Sequence, residues 1–166
     1  MTKPIRTAVT AVVAIASASS LFTLSFVATP IKFLTEDVPI EHLLAVGRVT
    51  FRASAAMETL LLLLIFASAK GRDRFLAGLA GAVLAIQWLI VMPELDMRTL
   101  ARIAGEVLPP SDLHGWWIVS DVIRIVLYAS IAIEAGRRVL RTIHPPPRPK
   151  ERSSSNDEAG TEPMAK

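Results

Sequence analysis

The sequence predicts an all-α integral membrane protein, a four-helix bundle with a short interfacial helix between spans three and four. Three observations carry that class. Hydrophobic residues make up 52% of the 166 residues and the mean hydropathy is +0.46, too apolar for an ordinary soluble domain. Four apolar stretches alternate with polar or proline-bearing connections, and about twenty residues at a rise of about 1.5 Å cross a hydrocarbon core of roughly 30 Å. Lys and Arg gather at alternate connections, the asymmetry that orients membrane spans. The chain has no cysteine, which excludes a disulfide scaffold, a thiolate metal site and a cysteine nucleophile. Its net charge of +3 gives nucleic acid little to bind, and no nucleic-acid partner is expected.

Span one covers roughly residues 7–28, is free of charge, and is closed by Pro30 and Lys32. Lys3, Arg6 and Ala16-Ser17-Ala18 also resemble a cleaved signal sequence. The apolar run continues through Phe22 and Phe26 to Val27, longer than such signals usually are, which favours a retained helix. Span two covers roughly 43–69, and span three, the shortest, roughly 75–92, ending at Pro93. Beyond it Leu100, Ile103, Ala104 and Val107 follow the spacing of one helix face, with Glu94 four before Arg98 and Arg102 four before Glu106. That pattern predicts the interfacial helix, stopped by Pro109-Pro110. Ser111 is placed to cap span four, roughly 116–135, with Trp116 and Trp117 as interfacial anchors. Residues 1–144 thus form the transmembrane domain. The tail 145–166 is rich in Pro, Ser and charge and is expected to be disordered. Small residues on span one (Ala14, Ser17, Ala18) and span three (Gly78, Gly81, Ala82, Ala85) predict close helix approach.

Lys3 and Arg6, then Lys70, Arg72 and Arg74, then Arg137, Arg138 and Arg141 fall on one side of four spans. This predicts cytoplasmic N- and C-termini. The connections on the other side mix Lys32, Arg98 and Arg102 with seven acids, among them Asp96.

Most charges lie outside the spans, so those within them stand out. They are Arg48, Arg52 and Glu58 in span two and Asp121, Arg124 and Glu134 in span four, with the polar Gln87 in span three. Counted from the outer helix ends, Arg48 lies about 8 Å deep, Gln87 and Asp121 about 9 Å, and Arg52 and Arg124 about 14 Å. Arg48, Arg52, Gln87, Asp121 and Arg124 therefore share a layer in the outer half of the membrane. An unpaired arginine at such a depth is costly, so Asp121 is expected to pair with Arg48 or Arg52. Glu58, about 22 Å deep, reaches the layer only if its side chain climbs. Three arginines then meet one aspartate. Either the surplus cation holds an anionic or lipid-like ligand, or outer-loop acids bend in and neutralise it. A buried salt-bridge network that fixes helix register is the other reading of the same residues.

His42 and His114 fall at the outer ends of spans two and four. Paired imidazoles there suit a b-type haem or a metal; interfacial histidines bonded to water or to helix ends are the plainer reading. No phosphate-binding glycine loop, zinc motif or nucleophile elbow occurs, so no catalytic residue is assigned and no cofactor is expected beyond the haem alternative.

The stretches Phe26-Val27-Ala28-Thr29-Pro30, Val46-Gly47-Arg48 with Phe51, and Met92-Pro93-Glu94-Leu95-Asp96-Met97-Arg98-Thr99 recur in a characteristic order, followed by Gly105, Pro110-Ser111 and His114. In this order the chain resembles small four-span bacterial membrane proteins. It is similar to the transmembrane-protein-205-like group and, more loosely, to copper-resistance-D-like bundles, over roughly residues 21–138. The first resemblance implies no established activity, the second copper handling or a redox partner. Together these features predict a multi-pass, non-enzymatic protein of a bacterial inner membrane. Its partners would be the lipid bilayer and either a second copy or a larger membrane complex. A haem- or metal-binding redox subunit and an assembly subunit are the alternatives.

Overall fold

A computed structural model describes residues 2–144; the tail expected to be disordered lies outside the described residues. The described residues form four helices and no strand. We label them α1 (Lys3–Lys32), α2 (Ile40–Ser68), α3 (Arg72–Ile103) and α4 (Leu113–Ile143). By length and composition α1, α2 and α3 are apolar enough to cross a membrane. Each helix packs against its neighbours in chain order, and α1 closes the ring against α4. One end of the molecule gathers the start of α1, the end of α2, the start of α3 and the end of α4. There Arg6 donates to the Ser68 carbonyl and Arg138 pairs with Asp73. We call this the Lys3 end, and the opposite one the Lys32 end.

The core has two apolar parts with a polar layer between them. Toward the Lys3 end, Ala14, Leu21, Ile65, Ala69, Ala77, Ala80, Tyr128 and Ile131 pack together. Small residues dominate because helices in lipid associate by close contact. Ala14 and Ser17 are buried as expected, and a side chain at Gly81 would press on Leu62. Gly78, Ala82 and Ala85 instead face outward, and Ala77 and Ala80 make the close approach on α3. Toward the Lys32 end, Val91, Met92 and Trp117 form the second part, with Phe51 and Trp88 against them. Trp117 therefore belongs to the core, whereas Trp116 is exposed as an anchor would be.

The two prolines expected to end spans do not end them. Helix α1 runs on through Pro30 and α3 through Pro93. In each case a π-helical turn precedes the proline, Thr23–Ala28 before Pro30 and Gln87–Val91 before Pro93. Proline has no N–H, and in a regular helix its ring meets the carbonyl four residues back. A π turn adds one residue and moves that carbonyl away. The backbone bonds follow: the N–H groups of Thr29 and Met92 donate five residues back, to Leu24 and Gln87.

The stretch expected to form a separate interfacial helix is continuous with α3 as far as Ile103. Gly105, at φ +86°, terminates it before Val107. The two expected four-residue ion pairs are not made among the described residues: Arg98 donates to the Pro109 carbonyl instead, and the helix ends at Ile103, so Glu106 no longer stacks one turn from Arg102. The N-cap of α4 is Asp112 and not Ser111 as expected; Ser111, one residue earlier, accepts from the Leu113 N–H at 3.3 Å.

Candidate functional site

The polar layer is centred on Arg124. Its guanidinium bonds Asp121 one turn away on α4 and Glu58 across the molecule on α2. Glu58 also accepts from the Tyr128 hydroxyl at 2.9 Å. Asp121 collects two further donors, Ser25 Oγ at 2.5 Å and Gln87 Nε2 at 3.0 Å. Ser25 lies in the π turn of α1 and Gln87 opens the π turn of α3. Each widened turn thus places one side chain on the same carboxylate. Arg124, Asp121, Gln87 and Tyr128 are all at most 2% exposed. The layer joins all four helices and holds two carboxylates against one guanidinium.

A second cluster lies at the Lys32 end. Past Pro93, α3 carries Asp96 to face α2. Asp96 takes a two-pronged contact from Arg48, with Nη2 to Oδ2 at 2.8 Å, and a further bond from Arg52 at 2.6 Å. Lys32, at the end of α1, sits over the rings of Phe33 and Phe51, 4.9 and 5.6 Å from their centroids. Gly47 lies directly beside it, and a Cβ there would displace the Lys32 ammonium. Lys32, Arg48 and Asp96 line a cavity of about 130 Å³, walled by Phe33, Leu44, Phe51, Met92 and Leu95. Three cations, Lys32, Arg48 and Arg52, meet one carboxylate, which leaves two positive charges uncompensated within the cluster. A neighbouring cavity of about 270 Å³ shares Thr29, Phe33, Phe51 and His114 with it and reaches Trp117 and Asp121.

The five residues expected to share one site are therefore divided. Gln87, Asp121 and Arg124 meet in the central layer, whereas Arg48 and Arg52 join Asp96 nearer the helix ends. The expected pairing of Asp121 with Arg48 or Arg52 is not made. Arg124, one turn away on the same helix, already occupies Asp121, and Asp96 satisfies both arginines of α2. Glu58 does reach the layer, because Arg124 extends to it from across the core. His114 lines both cavities at the Lys32 end, and His42 lines neither. Among the described residues no group of three or more His, Cys, Asp or Glu side chains is placed to hold a metal ion.

Lys32, Ser25 and Tyr128 were not legible as site residues, whereas Asp96 is one of the outer acids that were expected, as one of two outcomes, to bend in toward the arginines. Lys32 and Asp96 lie beyond the expected span ends, and only the π turns bring them, with Ser25, into place. Comparison of the chain with protein-family models, with curated proteins and with solved structures finds no match.

Proposed function

We propose that the protein is a non-enzymatic, four-span membrane protein that binds an anionic amphiphile at the Lys32 end. The negative head group would lie on Lys32 and Arg48, and its apolar part along Phe33, Phe51, Met92 and Leu95. The observation that carries this reading is the imbalance of charge at the mouth of an apolar cavity. Asp96 holds Arg48 and Arg52 in place but neutralises only one positive charge of three. Guanidinium and ammonium donors to an anion are among the stronger hydrogen bonds. The apolar walls favour a ligand with a hydrocarbon portion over a bare ion.

In this reading α4 is the fourth span. Its charged Asp121 and Arg124 are buried, while Ile118, Val119, Val122, Ile123, Val126 and Ile133 face outward, as a lipid-facing surface requires. The distribution of Lys and Arg supports cytoplasmic termini; in a bacterial inner membrane, which only the resemblance to four-span bacterial proteins suggests, the ligand would enter from the outer leaflet.

Charge selectivity tests the proposal. The purified chain in a neutral detergent is titrated with dodecyl phosphate and with dodecyltrimethylammonium, which share a tail and differ in charge. Saturable binding of the phosphate, with the cation weaker by about tenfold or more, is expected because each charge-assisted bond contributes about 1.5–3 kcal/mol. Equal binding of the two would refute it.

A further inference from the structure

At the Lys3 end lies a cavity of about 240 Å³, lined by Lys3, Arg6, Lys70 and Arg138 with the hydroxyls of Thr7, Thr10 and Ser68 and the carboxylate of Asp73. Four cations face one carboxylate. Arg138 pairs with Asp73 Oδ2 and Arg6 gives one N–H to the Ser68 carbonyl at 3.2 Å. The hydroxyl protons are already committed: Thr7 donates to the Lys3 carbonyl, Ser68 to the Leu64 carbonyl, and the single proton of Thr10 has either the Arg6 carbonyl or Ser68 Oγ as its acceptor. An anion entering here would be held by the charged groups alone.

One atom asks for the opposite partner. Asp73 is 3% exposed, and its Oδ1 is buried without a hydrogen-bond donor. A buried carboxylate oxygen left unpaired is costly. The cavity therefore offers several cations to an anion and, beside them, one acceptor to a donor. Both demands are met by a phosphate that carries an ammonium or hydroxyl group a few bonds away. The cavity opens where Lys3, Arg6 and Lys70 flank the apolar lengths of α1 and α2, the level at which lipid headgroups lie.

We infer that this cavity binds a phosphate-bearing headgroup with a hydrogen-bond donor, the phosphate on Lys3, Arg6 and Lys70 and the donor on Asp73 Oδ1. Cations that only fix topology would show no preference among headgroups. This site is separate from the cluster at Lys32, and the two are tested separately.

The test is native mass spectrometry of the full chain released from detergent, with phosphatidylethanolamine, phosphatidylglycerol, phosphatidylcholine or inorganic phosphate added. It is run on the wild type and on a Lys32→Gln/Arg48→Gln background that disables the opposite end while Arg52 still pairs with Asp96. Phosphatidylethanolamine and phosphatidylglycerol carry a donor and are expected to remain bound in both. Phosphatidylcholine has no donor and is expected to bind about tenfold less. Lys3→Gln/Lys70→Gln changes two exposed side chains and leaves the packing intact; it should lose the adducts. Asp73→Asn, whose carboxamide oxygen still accepts from Arg138, should keep phosphodiester binding and lose the preference over choline. Displacement of lipid by millimolar inorganic phosphate, absent in Lys3→Gln/Lys70→Gln, would support the same phosphate site with the free anion as its source. Equal retention of all three lipids, or adducts indifferent to Lys3→Gln/Lys70→Gln, would overturn the inference.

Discussion

Arg124 serves two carboxylates, and that uneven count decides how the central layer responds to substitution. Replacing Arg124 by Gln leaves Glu58 and Asp121 buried with no cation between them, a loss of about 3–5 kcal/mol for a broken buried pair. Replacing Asp121 by Asn removes one negative charge and leaves Arg124 matched to Glu58. The carboxamide oxygen still accepts from Arg124 and Gln87, and its NH2 group faces Ser25 Oγ. Arg124→Gln should therefore lower the thermal midpoint in detergent far more than Asp121→Asn, whose cost is about 1 kcal/mol. Equal damage from the two would show that Asp121 matters for more than its place in this charge count. That Gln87, Asp121 and Arg124 lie at one level of the bundle was legible from helical rise alone. Their partners were not, because pairing depends on the rotation of each helix about its axis.

At the scale of the element, the π turns are the features that a reading of proline as a stop signal misses. Each adds one residue to a helix that otherwise continues in register on both sides. Removing that residue together with the proline that follows should restore a regular α-helix, whereas removing one elsewhere rotates every later side chain by about 100°. In a Pro93→Ala background, deleting Leu89, which is exposed within the turn of α3, should thus leave more folded protein than deleting Leu84, buried earlier in the same helix. The yield of monodisperse protein on size-exclusion chromatography measures the difference, and equal loss would contradict this view of the turn. The apolar character of α1 to α3 was legible from composition. Their lengths were not, because α1 and α3 run on through Pro30 and Pro93, and neither proline announces which backbone bond will lengthen. Lys32 escaped notice for the same reason, and Asp96 was visible only as one of several outer acids that could bend in toward the arginines.

At the scale of the whole molecule, the proposed orientation rests on the alternation of basic and mixed connections. The native chain has no cysteine, so single cysteines report accessibility without background. Cysteines at Thr35 and Glu106 should react with an impermeant maleimide in intact cells. Cysteines at Lys70 and His144 should react only after permeabilisation. Labelling of His144 in intact cells would place the end of α4 outside and refute the fourth span.

The two clusters that hold the expected site residues differ in access. The central layer is nearly closed and joins all four helices; the cluster at Lys32 is open, cationic and beside an apolar cavity. The proposed function rests on the second. The most direct measurement is the affinity of the solubilised chain for dodecyl phosphate, in the wild type and in Lys32→Gln/Arg48→Gln. The account predicts saturable binding by the wild type and a loss of about tenfold or more in the variant, with the thermal midpoint little changed. Unchanged affinity in a folded variant would contradict it.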